Sequence, residues 1–302
     1  MPALEETQVR AFRTSGTTGE PVTWLRDTGQ LRAEAAILAE LCSAGQADGI
    51  VCYAPPDHLY GYLMGLALPE LTGLPCRILS VTAPLSSGFA GFRRPVVAAL
   101  PAAVVTMARD LPTLRRLDRL TLVHGSAALT PAAVDLLAAL DGRAELVELF
   151  GSTETGLVGR RSRHTDDWRP APDVTLATEP DGRLRVTSPR IARRDGEPAG
   201  PAGMRDTVLD DLVTVNPDQT FRWLGRANRL IKINGRRVHL DQVESALRDL
   251  VPGATLWCRA EPDAVRGEWF SVLVTESDRV EAVRTACRTL PAAARPRTVA
   301  AA

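Results

Sequence analysis

Helix-like and strand-like patterns of apolar and polar residues alternate along the first half of the chain. Apolar residues recur at helical spacing over 30–44 and 64–72, and the apolar run at 50–54 is typical of a short buried strand. Further along, the same pattern predicts a strand near Val104–Thr106, an amphipathic stretch near 108–117, a strand at Leu120–His124, a helix opened by Thr130 and Pro131, and a strand at Leu146–Phe150. This alternation favours a parallel sheet covered by helices.

The pattern changes near residue 172, where short segments of alternating polarity replace the helices. They are separated by Asp-Gly, Ser-Pro and Asn-Pro turn signals and lie at Val174–Thr178, Leu184–Thr187, Leu212–Val215 and Phe221–Leu224. Such a pattern predicts antiparallel strands or a small barrel. Residues 193–205 are rich in glycine, proline and charge, and we expect an exposed loop there.

A domain boundary is predicted near Gly225. After it come a basic strand at Leu230–Asn234, a helix at Leu240–Leu250, two further strands and a last helix. The predicted fold class is therefore α/β. A large N-terminal domain over 1–225 combines a mostly parallel sheet with a small β subdomain, and a small α+β C-terminal domain follows over 226–302.

Composition and charge narrow the class of protein. The chain has 302 residues, of which 45% are hydrophobic, and its 36 basic and 36 acidic residues cancel, so no overall field would collect nucleic acid or an anionic membrane surface. The five cysteines are scattered and form no CxxC pair, which argues against a disulfide framework or a zinc site. The N-terminus lacks an apolar signal region, and no window approaches about 18 uninterrupted apolar residues. We therefore expect a cytoplasmic protein whose partners are small molecules and proteins.

The first segment that suggests chemistry runs from Thr14 to Pro21. Its first six positions hold four hydroxyls and two glycines, so the backbone can turn N–H groups and hydroxyl donors onto phosphate oxygens. The spacing and lysine of a Walker loop are missing. Taken alone, a Gly/Thr-rich surface turn explains the segment equally well.

The second segment, Leu149–Gly156, follows a predicted strand, which is where open α/β sheets place ligand loops. Phe150 could stack on a purine, Thr153 could donate to a phosphate, and Glu154 could hold Mg²⁺ that bridges phosphate oxygens. The alternative is a strand-end turn with a solvated glutamate.

The third segment runs over residues 225–238 and surrounds a short apolar strand with cationic and amide side chains. Lys232 and the neighbouring arginines could face a polyanion. A solvated basic edge strand would have the same pattern.

In this order, the three segments resemble those of the adenylate-forming superfamily, which contains acyl-CoA synthetases, nonribosomal adenylation domains and luciferases. The resemblance implies that the first segment is a phosphate-binding loop, that the second binds adenine and metal, and that the third opens a mobile C-terminal domain. Trp168-Arg169-Pro170, the Ser188-Pro189 pair and the run at 221–226 resemble the branch of fatty- and aryl-acyl ligases.

The resemblance also implies an activity and its cofactors. ATP and Mg²⁺ would be bound, and a small carboxylic acid would be converted to an acyl-adenylate for transfer to CoA or an acyl carrier protein. Catalytic roles would fall on Thr18, Glu154 and Lys232, with Glu154 as the metal ligand.

Binding roles follow position by position. Nucleotide contacts are implied for Thr14, Ser15, Gly16, Thr17, Gly19, Gly125, Ser126, Ala127, Phe150, Gly151, Ser152, Thr153, Asp211 and Arg226. Of these, Asp211 and Arg226 correspond to ribose-binding positions. His58, Tyr60 and Gly125 are expected beside the acid, and Asn228 at the hinge between the two domains.

Two departures from the family pattern suggest alternatives. The phosphate-loop segment begins at Thr14, so an N-terminal lobe is expected to be absent, and the surface it would cover predicts a homo-oligomer or a partner subunit. Lys232 is the only lysine in the chain, so the C-terminal lysine of the family has no counterpart. One alternative is a degenerate nucleotide- or carrier-protein-binding module that does not catalyse adenylation alone. In another, a partner protein supplies the missing parts.

Overall fold

The computed structural model describes residues 8–14, 22–125, 129–163, 165–198, 203–227, 229–233, 236–263 and 267–301. Several residues singled out above lie outside these ranges: Ser15, Gly16, Thr17, Thr18, Gly19, Ser126, Ala127 and Asn228. For Arg226 the description covers the backbone alone.

The described strands, in chain order, are β1 Val9–Thr14, β2 Val22–Asp27, β3 Gly49–Cys52, β4 Cys76–Ile78, β5 Pro95–Ala99, β6 Leu120–His124, β7 Ala144–Ser152, β8 Gly156–Arg161, β9 Arg169–Pro170, β10 Thr175–Thr178, β11 Arg183–Ser188, β12 Arg193–Arg194, β13 Arg205–Val215, β14 Phe221–Arg226, β15 Leu230–Ile233, β16 Arg236–His239, β17 Leu256–Asp263, β18 Gly267–Val274 and β19 Thr298–Ala301.

The described α-helices are α1 Thr28–Leu41, α2 Leu59–Tyr62, α3 Leu68–Thr72, α4 Leu85–Gly88, α5 Pro101–Ala108, α6 Leu111–Leu114, α7 Pro131–Ala139, α8 Leu240–Leu250 and α9 Val280–Cys287. A π-helical turn, Leu63–Ala67, joins α2 to α3. Short 3₁₀ turns lie at Ala44–Gln46, Ser277–Arg279 and Ala292–Ala294.

The main sheet has the strand order β4-β3-β5-β6-β7-β8-β9 within the described residues. The strands from β4 to β7 are parallel, whereas β8 and β9 are antiparallel additions at one edge. Alternate residues of a strand enter different cores: Ile50 packs in the core that contains Leu38 of α1, and Val51 packs in the core that contains Met107 of α5. Because helices cover both faces, the parallel strands are almost continuously apolar. The α/β prediction is confirmed.

One predicted strand is wrong. Val104–Thr106 lies inside helix α5, and the strand of this region is β5, which comes earlier and was not predicted. The β-branched run at 104–106 has strand propensity. Pro101 occupies the first helical turn, where its missing N–H costs no hydrogen bond, and Ala103, Val104 and Met107 are buried against the sheet. Tertiary packing therefore overrides local propensity.

The region after residue 172 forms an antiparallel sheet of order β10-β11-β13-β14 within the described residues. This confirms the antiparallel prediction. A second small sheet has the order β1-β2-β12. The predicted loop at 193–205 is mostly exposed where it is described, but Arg193 and Arg194 form β12 by pairing with Leu25 and Trp24 of β2.

The last described sheet has the order β16-β15-β18-β17, with β19 added parallel to β18. Residues from α8, α9 and this sheet share a core that contains Leu247, Phe270 and Val283. The predicted helix at Leu240–Leu250 is confirmed, whereas β16 and β19 were not predicted. The division into domains at residues 225 and 226 stays a prediction.

Candidate active site

A cavity of about 480 Å³ opens at the carboxyl ends of β3, β6 and β7. Open α/β sheets bind ligands at this edge because the connecting loops converge there. The cavity is lined by residues from both ends of the chain: Arg13, Thr14, Glu34, Leu38, Ala54, Pro55, His58, Leu59, Tyr60, Leu63, Leu100, Pro101, Ala102, Gly125, Leu149, Phe150, Gly151, Ser152, Thr153, Gly156, Leu157, Lys232 and Arg237.

The cavity brings together most of the described residues that the sequence singled out. They are Thr14, His58, Tyr60, Gly125, Phe150, Gly151, Ser152, Thr153 and Lys232. Neither Glu154 nor Asp211 is among the described lining residues. Glu154 directly follows Thr153, whereas Asp211 lies on β13.

The predicted acid side of the cavity is formed by the turn after β3 and by α2. The Tyr60 hydroxyl donates to the Val123 carbonyl at 2.9 Å, and burial raises the pKa of Tyr60. His58 is exposed and lines the cavity, while its backbone N–H donates to the Pro55 carbonyl at 3.1 Å. A Cβ added at Gly61 would lie 1.9 Å from the same carbonyl oxygen. Glycine at this position therefore allows the turn to fold onto α2.

Phe150 belongs to an aromatic cluster beside the cavity. Its ring centroid lies 5.3 Å from that of Trp168 and 5.3 Å from that of Phe221, in tilted and edge-on arrangements. The Arg161 guanidinium lies 4.3 Å from the centre of the Trp168 ring. These neighbours fix the orientation of Phe150, which is half-buried, and its remaining surface can stack on a planar ligand.

Residues Ser152–Gly156 form a turn that is closed by its own side chains. The Thr155 hydroxyl lies 2.9 Å from the Ser152 hydroxyl, and the Ser152 N–H donates to Thr155 Oγ1 at 3.2 Å. Thr155 is fully buried. A Cβ added at Gly151 would meet the Gly156 carbonyl oxygen at 2.1 Å, so the close approach of β7 and β8 requires glycine there.

Glu154 has the chemistry of a hard-cation ligand. Its carbonyl accepts from the Ala192 N–H at 2.8 Å, whereas its carboxylate oxygen Oε2 is buried and has no hydrogen-bond partner within the described residues. A buried carboxylate oxygen without a partner is costly unless a cation or donor reaches it. Among the described residues, no group of three or more His, Cys, Asp or Glu side chains could hold a metal alone. A single carboxylate fits Mg²⁺, which proteins commonly hold by one or two carboxylates together with substrate phosphates.

Asp211 and Arg226 lie opposite each other on neighbouring strands, as Cα partners of β13 and β14. Asp211 is buried, and its Oδ1 accepts from Trp223 Nε1 at 2.8 Å. The two positions implied for ribose are therefore adjacent. Phe221 of the aromatic cluster lies on the same strand as Arg226, β14.

Cationic side chains enter the cavity from the C-terminal sheet. Lys232 and Arg237 are Cα partners on β15 and β16, and both line the cavity. The Lys232 N–H donates to Glu268 Oε2 at 2.7 Å, which fixes the backbone of β15. Arg237 was predicted only as one of the arginines of the third segment that could face a polyanion.

Sequence reasoning also missed Arg26, Glu34 and Arg190, which are buried directly behind the turn. Glu34 had a detectable signal. In the predicted helix it shares the face of Leu31, Ala35 and Leu38, where a carboxylate needs a partner. Arg26 is eight residues away, but Leu157 and Arg190 are distant along the chain, so the helical pattern could not identify them as partners.

Thr14 lines the cavity, and its contact with nucleotide stays a prediction. Its hydroxyl donates to the Val22 carbonyl at 3.2 Å and closes the base of the β1–β2 hairpin. Residues 15–21, the predicted phosphate loop, connect these two strands.

A cavity at the carboxyl edge of a mostly parallel sheet covered by helices is the ligand-binding arrangement of open α/β proteins. Residues 12–200 match the family of AMP-binding enzymes, and the chain belongs to that family.

One relative in sequence and two solved structures with similar folds were also found. The chain is 33% identical over 235 residues to a 4-coumarate–CoA ligase of Halorhodospira halophila, which covers 74% of this chain and 58% of that protein. Its fold is similar to that of the amide bond synthetase McbA from Marinactinospora thermotolerans, with TM-score 0.66, 20% identity and coverage of 97% of this chain and 65% of that one. It is also similar to a malonyl-CoA ligase in a product complex with methylmalonyl-CoA and AMP, with TM-score 0.62, 24% identity and coverage of 97% and 70%. The chain therefore spans less than two thirds of the length of the 4-coumarate–CoA ligase.

No helix within the described ranges combines the length and apolar character needed to cross a membrane.

Proposed function

We propose that this protein is a cytoplasmic ligase that uses ATP and Mg²⁺ to activate a small carboxylic acid as an acyl-adenylate, for transfer to a thiol of CoA or an acyl carrier protein. The observation that carries the proposal is the convergence of Thr14, Tyr60, Phe150 and Lys232 on one cavity in a member of the AMP-binding family. These residues come from segments that are far apart in the sequence, and the resemblance implies a different part of one reaction for each.

The lining supports an acid with a neutral, apolar tail. Most side chains between α1 and α5 that face the cavity are aliphatic or aromatic, including Leu38, Leu59, Leu63 and Leu100. Glu34 is the one carboxylate among the described lining residues, and it already bonds two guanidinium groups and a backbone N–H. An amino acid would place its ammonium group there without a free carboxylate partner, which is unfavourable in a desolvated pocket. Aliphatic and aryl acids should therefore be preferred.

The proposed reaction is an in-line displacement at phosphorus. A carboxylate oxygen of the acid forms a bond to the α-phosphorus of ATP, and the bond from that phosphorus to the bridging oxygen breaks, so that pyrophosphate leaves with the electron pair. Such a reaction depends mainly on positioning and charge neutralisation. Phe150 would orient adenine and Asp211 the ribose. Lys232 and Arg237 would stabilise negative charge on the reacting groups.

Glu154 would hold Mg²⁺, which when bound neutralises charge on the phosphate oxygens. The protein contributes the fixed position of this carboxylate. Acceptor choice, homo-oligomerisation and a partner subunit stay predictions.

Acid-dependent exchange of pyrophosphate into ATP tests the proposal. Purified protein would be assayed with Mg²⁺ against panels of aliphatic, aryl and amino acids. We expect exchange with apolar acids, and a loss of about 100-fold in Glu154→Gln. The matched control is Glu145→Gln, which changes an exposed carboxylate on β7, the strand that leads into the turn of Glu154. If no acid supports exchange although ATP still binds, a nucleotide- or carrier-binding module that does not catalyse adenylation is the better account.

A further inference from the structure

Three charged side chains are buried behind the turn that carries Glu154. The side chains of Arg26, Glu34 and Arg190 are at most 3% exposed. Arg26 Nη1 lies 3.2 Å from Glu34 Oε2, and Arg190 Nη1 lies 3.3 Å from the same oxygen. Arg190 also donates from Nε to Asp173 at 2.7 Å. Two cations are thus balanced by two carboxylates, of which Glu34 is as buried as the arginines and Asp173 is 27% exposed.

Burial and the neighbouring carboxylates act in opposite directions on the pKa values of the two arginines. Burial lowers the pKa of Arg26, and the charge of Glu34 opposes that shift. Burial also works to lower the pKa of Arg190, but the hydrogen bonds and charges of Asp173 and Glu34 outweigh it and raise that pKa. A buried ionic group of this kind contributes little net stability compared with apolar packing. Net stability alone therefore does not explain why these charges are buried here.

The explanation lies in the backbone that these side chains hold. Arg26 donates from Nε and Nη2 to the Thr153 carbonyl at 3.3 and 3.1 Å. Glu34 Oε1 accepts from the Leu157 N–H at 2.7 Å, and Arg190 Nη2 donates to the Leu157 carbonyl at 2.7 Å. Charged partners thus bind the backbone on both sides of Glu154.

The approach of Glu34 depends on the residue beside it. Gly156 has φ +69°, and a Cβ there would lie 2.3 Å from Glu34 Oε2. Glycine both adopts this conformation and leaves room for the carboxylate. The turn and the ionic group are therefore built around each other.

We propose that Arg26, Glu34 and Arg190 are positioning residues that hold the turn at 152–157 and so fix the Glu154 carboxylate, which would hold Mg²⁺ when the ion is bound with ATP. The role of Glu154 in this inference rests on the proposed function. The contacts that fix the turn stand independently of it.

The same ionic group connects the strand that follows the predicted phosphate loop to the turn that carries Glu154. Arg26 lies on β2, the strand that leaves the predicted phosphate loop, and it also donates from Nη1 to the Arg190 carbonyl at 2.6 Å. A change at Glu34 should therefore disturb binding of the metal–phosphate unit more than binding of the nucleoside.

Hydrogen–deuterium exchange tests the positioning role without requiring activity. In Glu34→Gln, we expect amides of the 152–157 peptide to exchange about tenfold faster than in the wild type. Glu244→Gln is the matched control, because Glu244 is also buried, pairs with Arg229 and Arg248, and accepts from the Cys258 N–H. It should speed exchange around Cys258 and leave the 152–157 peptide unchanged. Arg26→Lys, which keeps the charge but loses the forked donation, is the second variant if Glu34→Gln folds poorly.

The second measurement is binding of a fluorescent ATP analogue at increasing Mg²⁺ concentration. We expect Glu34→Gln to raise the half-saturating Mg²⁺ concentration about tenfold, while the Kd measured in EDTA changes by less than about threefold. Glu244→Gln should change neither value. Equal losses in both variants, or unchanged exchange of the turn in Glu34→Gln and Arg26→Lys, would overturn the positioning role. If the wild type does not bind the analogue at all, the proposed function fails, and the exchange data alone decide whether the three residues hold the turn.

Discussion

At the scale of single residues, Gly151 is required by the contact between β7 and β8. An added Cβ would meet a backbone oxygen, and backbone cannot rotate away as a flexible side chain can. The same substitution at Gly45 would meet nothing within 4 Å. Comparing alanine substitutions at the two positions therefore separates the effect of the steric clash from the general effect of replacing glycine.

We predict that Gly151→Ala lowers the free energy of unfolding by about 2 kcal/mol or more, because the turn must open. Gly45→Ala should stay within about 0.5 kcal/mol of the wild type. Urea denaturation measures both. Equal midpoints for the two variants would show that the turn adapts to a methyl group.

His124 gives a pH dependence at the residue scale. It ends β6, is fully buried, and neither ring nitrogen has a hydrogen-bond partner within the described residues. Burial lowers the pKa of His124 from 6.5 to about 4. Below pH 6.5 the unfolded chain binds a proton that the folded chain binds only near pH 4.

The folded state should therefore lose stability as the pH falls from 6.5 towards 4, by up to about 3 kcal/mol from this group. Carboxylates titrate in the same window, so the measurement is the difference between the wild type and His124→Leu. The variant should lose less stability over the window when urea midpoints are compared. Parallel curves for the two proteins would contradict the prediction.

At the scale of elements, α1 begins with two reciprocal hydrogen bonds. The Gln30 N–H donates to Asp27 Oδ1 at 2.8 Å, and the Asp27 N–H donates to Gln30 Oε1 at 3.1 Å. Gln30 Nε2 also donates to the carbonyls of Pro189 and Ile191, at 3.1 Å each. The helix start is thus joined to the segment that contains Arg190.

Gln30→Ala should lower the free energy of unfolding by about 2 kcal/mol, since it removes a cap and leaves two carbonyls without this donor. Asp110→Ala removes a helix cap that has a single contact, to the Thr113 N–H, and should cost about 1 kcal/mol. Chemical denaturation of both variants gives the comparison. A smaller effect at Gln30 than at Asp110 would show that the tie to residues 189–191 is unimportant.

The elements that were predictable are those with clear periodicity or caps. Helix α1 has apolar residues at Leu31, Ala35 and Leu38 on one face, and α7 opens with Thr130 before a proline. Helix α5 was not predictable from propensity, because its β-branched residues favour a strand while packing selects a helix. Strand β19 lies in an Ala-rich segment with little alternation, and its pairing with β18 depends on distant residues.

The residues of the candidate site also divide into those that the sequence could predict and those that it could not. Phe150 and Lys232 could be named because they lie within contiguous segments whose residue types suggest chemistry. Arg26 and Arg190 could not, since their contacts join positions separated by 127 and 33 residues along the chain. Hydrogen bonds from side chains to backbone groups so far along the chain leave no local pattern.

At the scale of the whole molecule, the cavity has walls from both ends of the sequence. Arg236 and Arg237 are neighbours on β16; Arg236 is exposed, whereas Arg237 lines the cavity. Successive residues of a strand point to opposite faces. The pair therefore tests whether the C-terminal sheet contributes to the site.

Arg237→Ala should reduce acid-dependent pyrophosphate exchange about tenfold or more, which corresponds to about 1.4 kcal/mol of transition-state stabilisation. Arg236→Ala should keep exchange within about twofold of the wild type. Both variants should unfold at similar urea concentrations. Equal activity in the two would show that this sheet acts only as a support.

Formation of the adenylate itself is the most direct test of the account. Wild-type protein in excess over ATP labelled at the α-phosphorus would be mixed with Mg²⁺ and the best apolar acid, and the labelled products would be separated after a single turnover. We predict an acyl-adenylate that requires the acid and is lost in Glu154→Gln but kept in Glu145→Gln. Bound ATP that yields no adenylate with any acid would contradict the central claim that this cavity makes the acyl–phosphate bond.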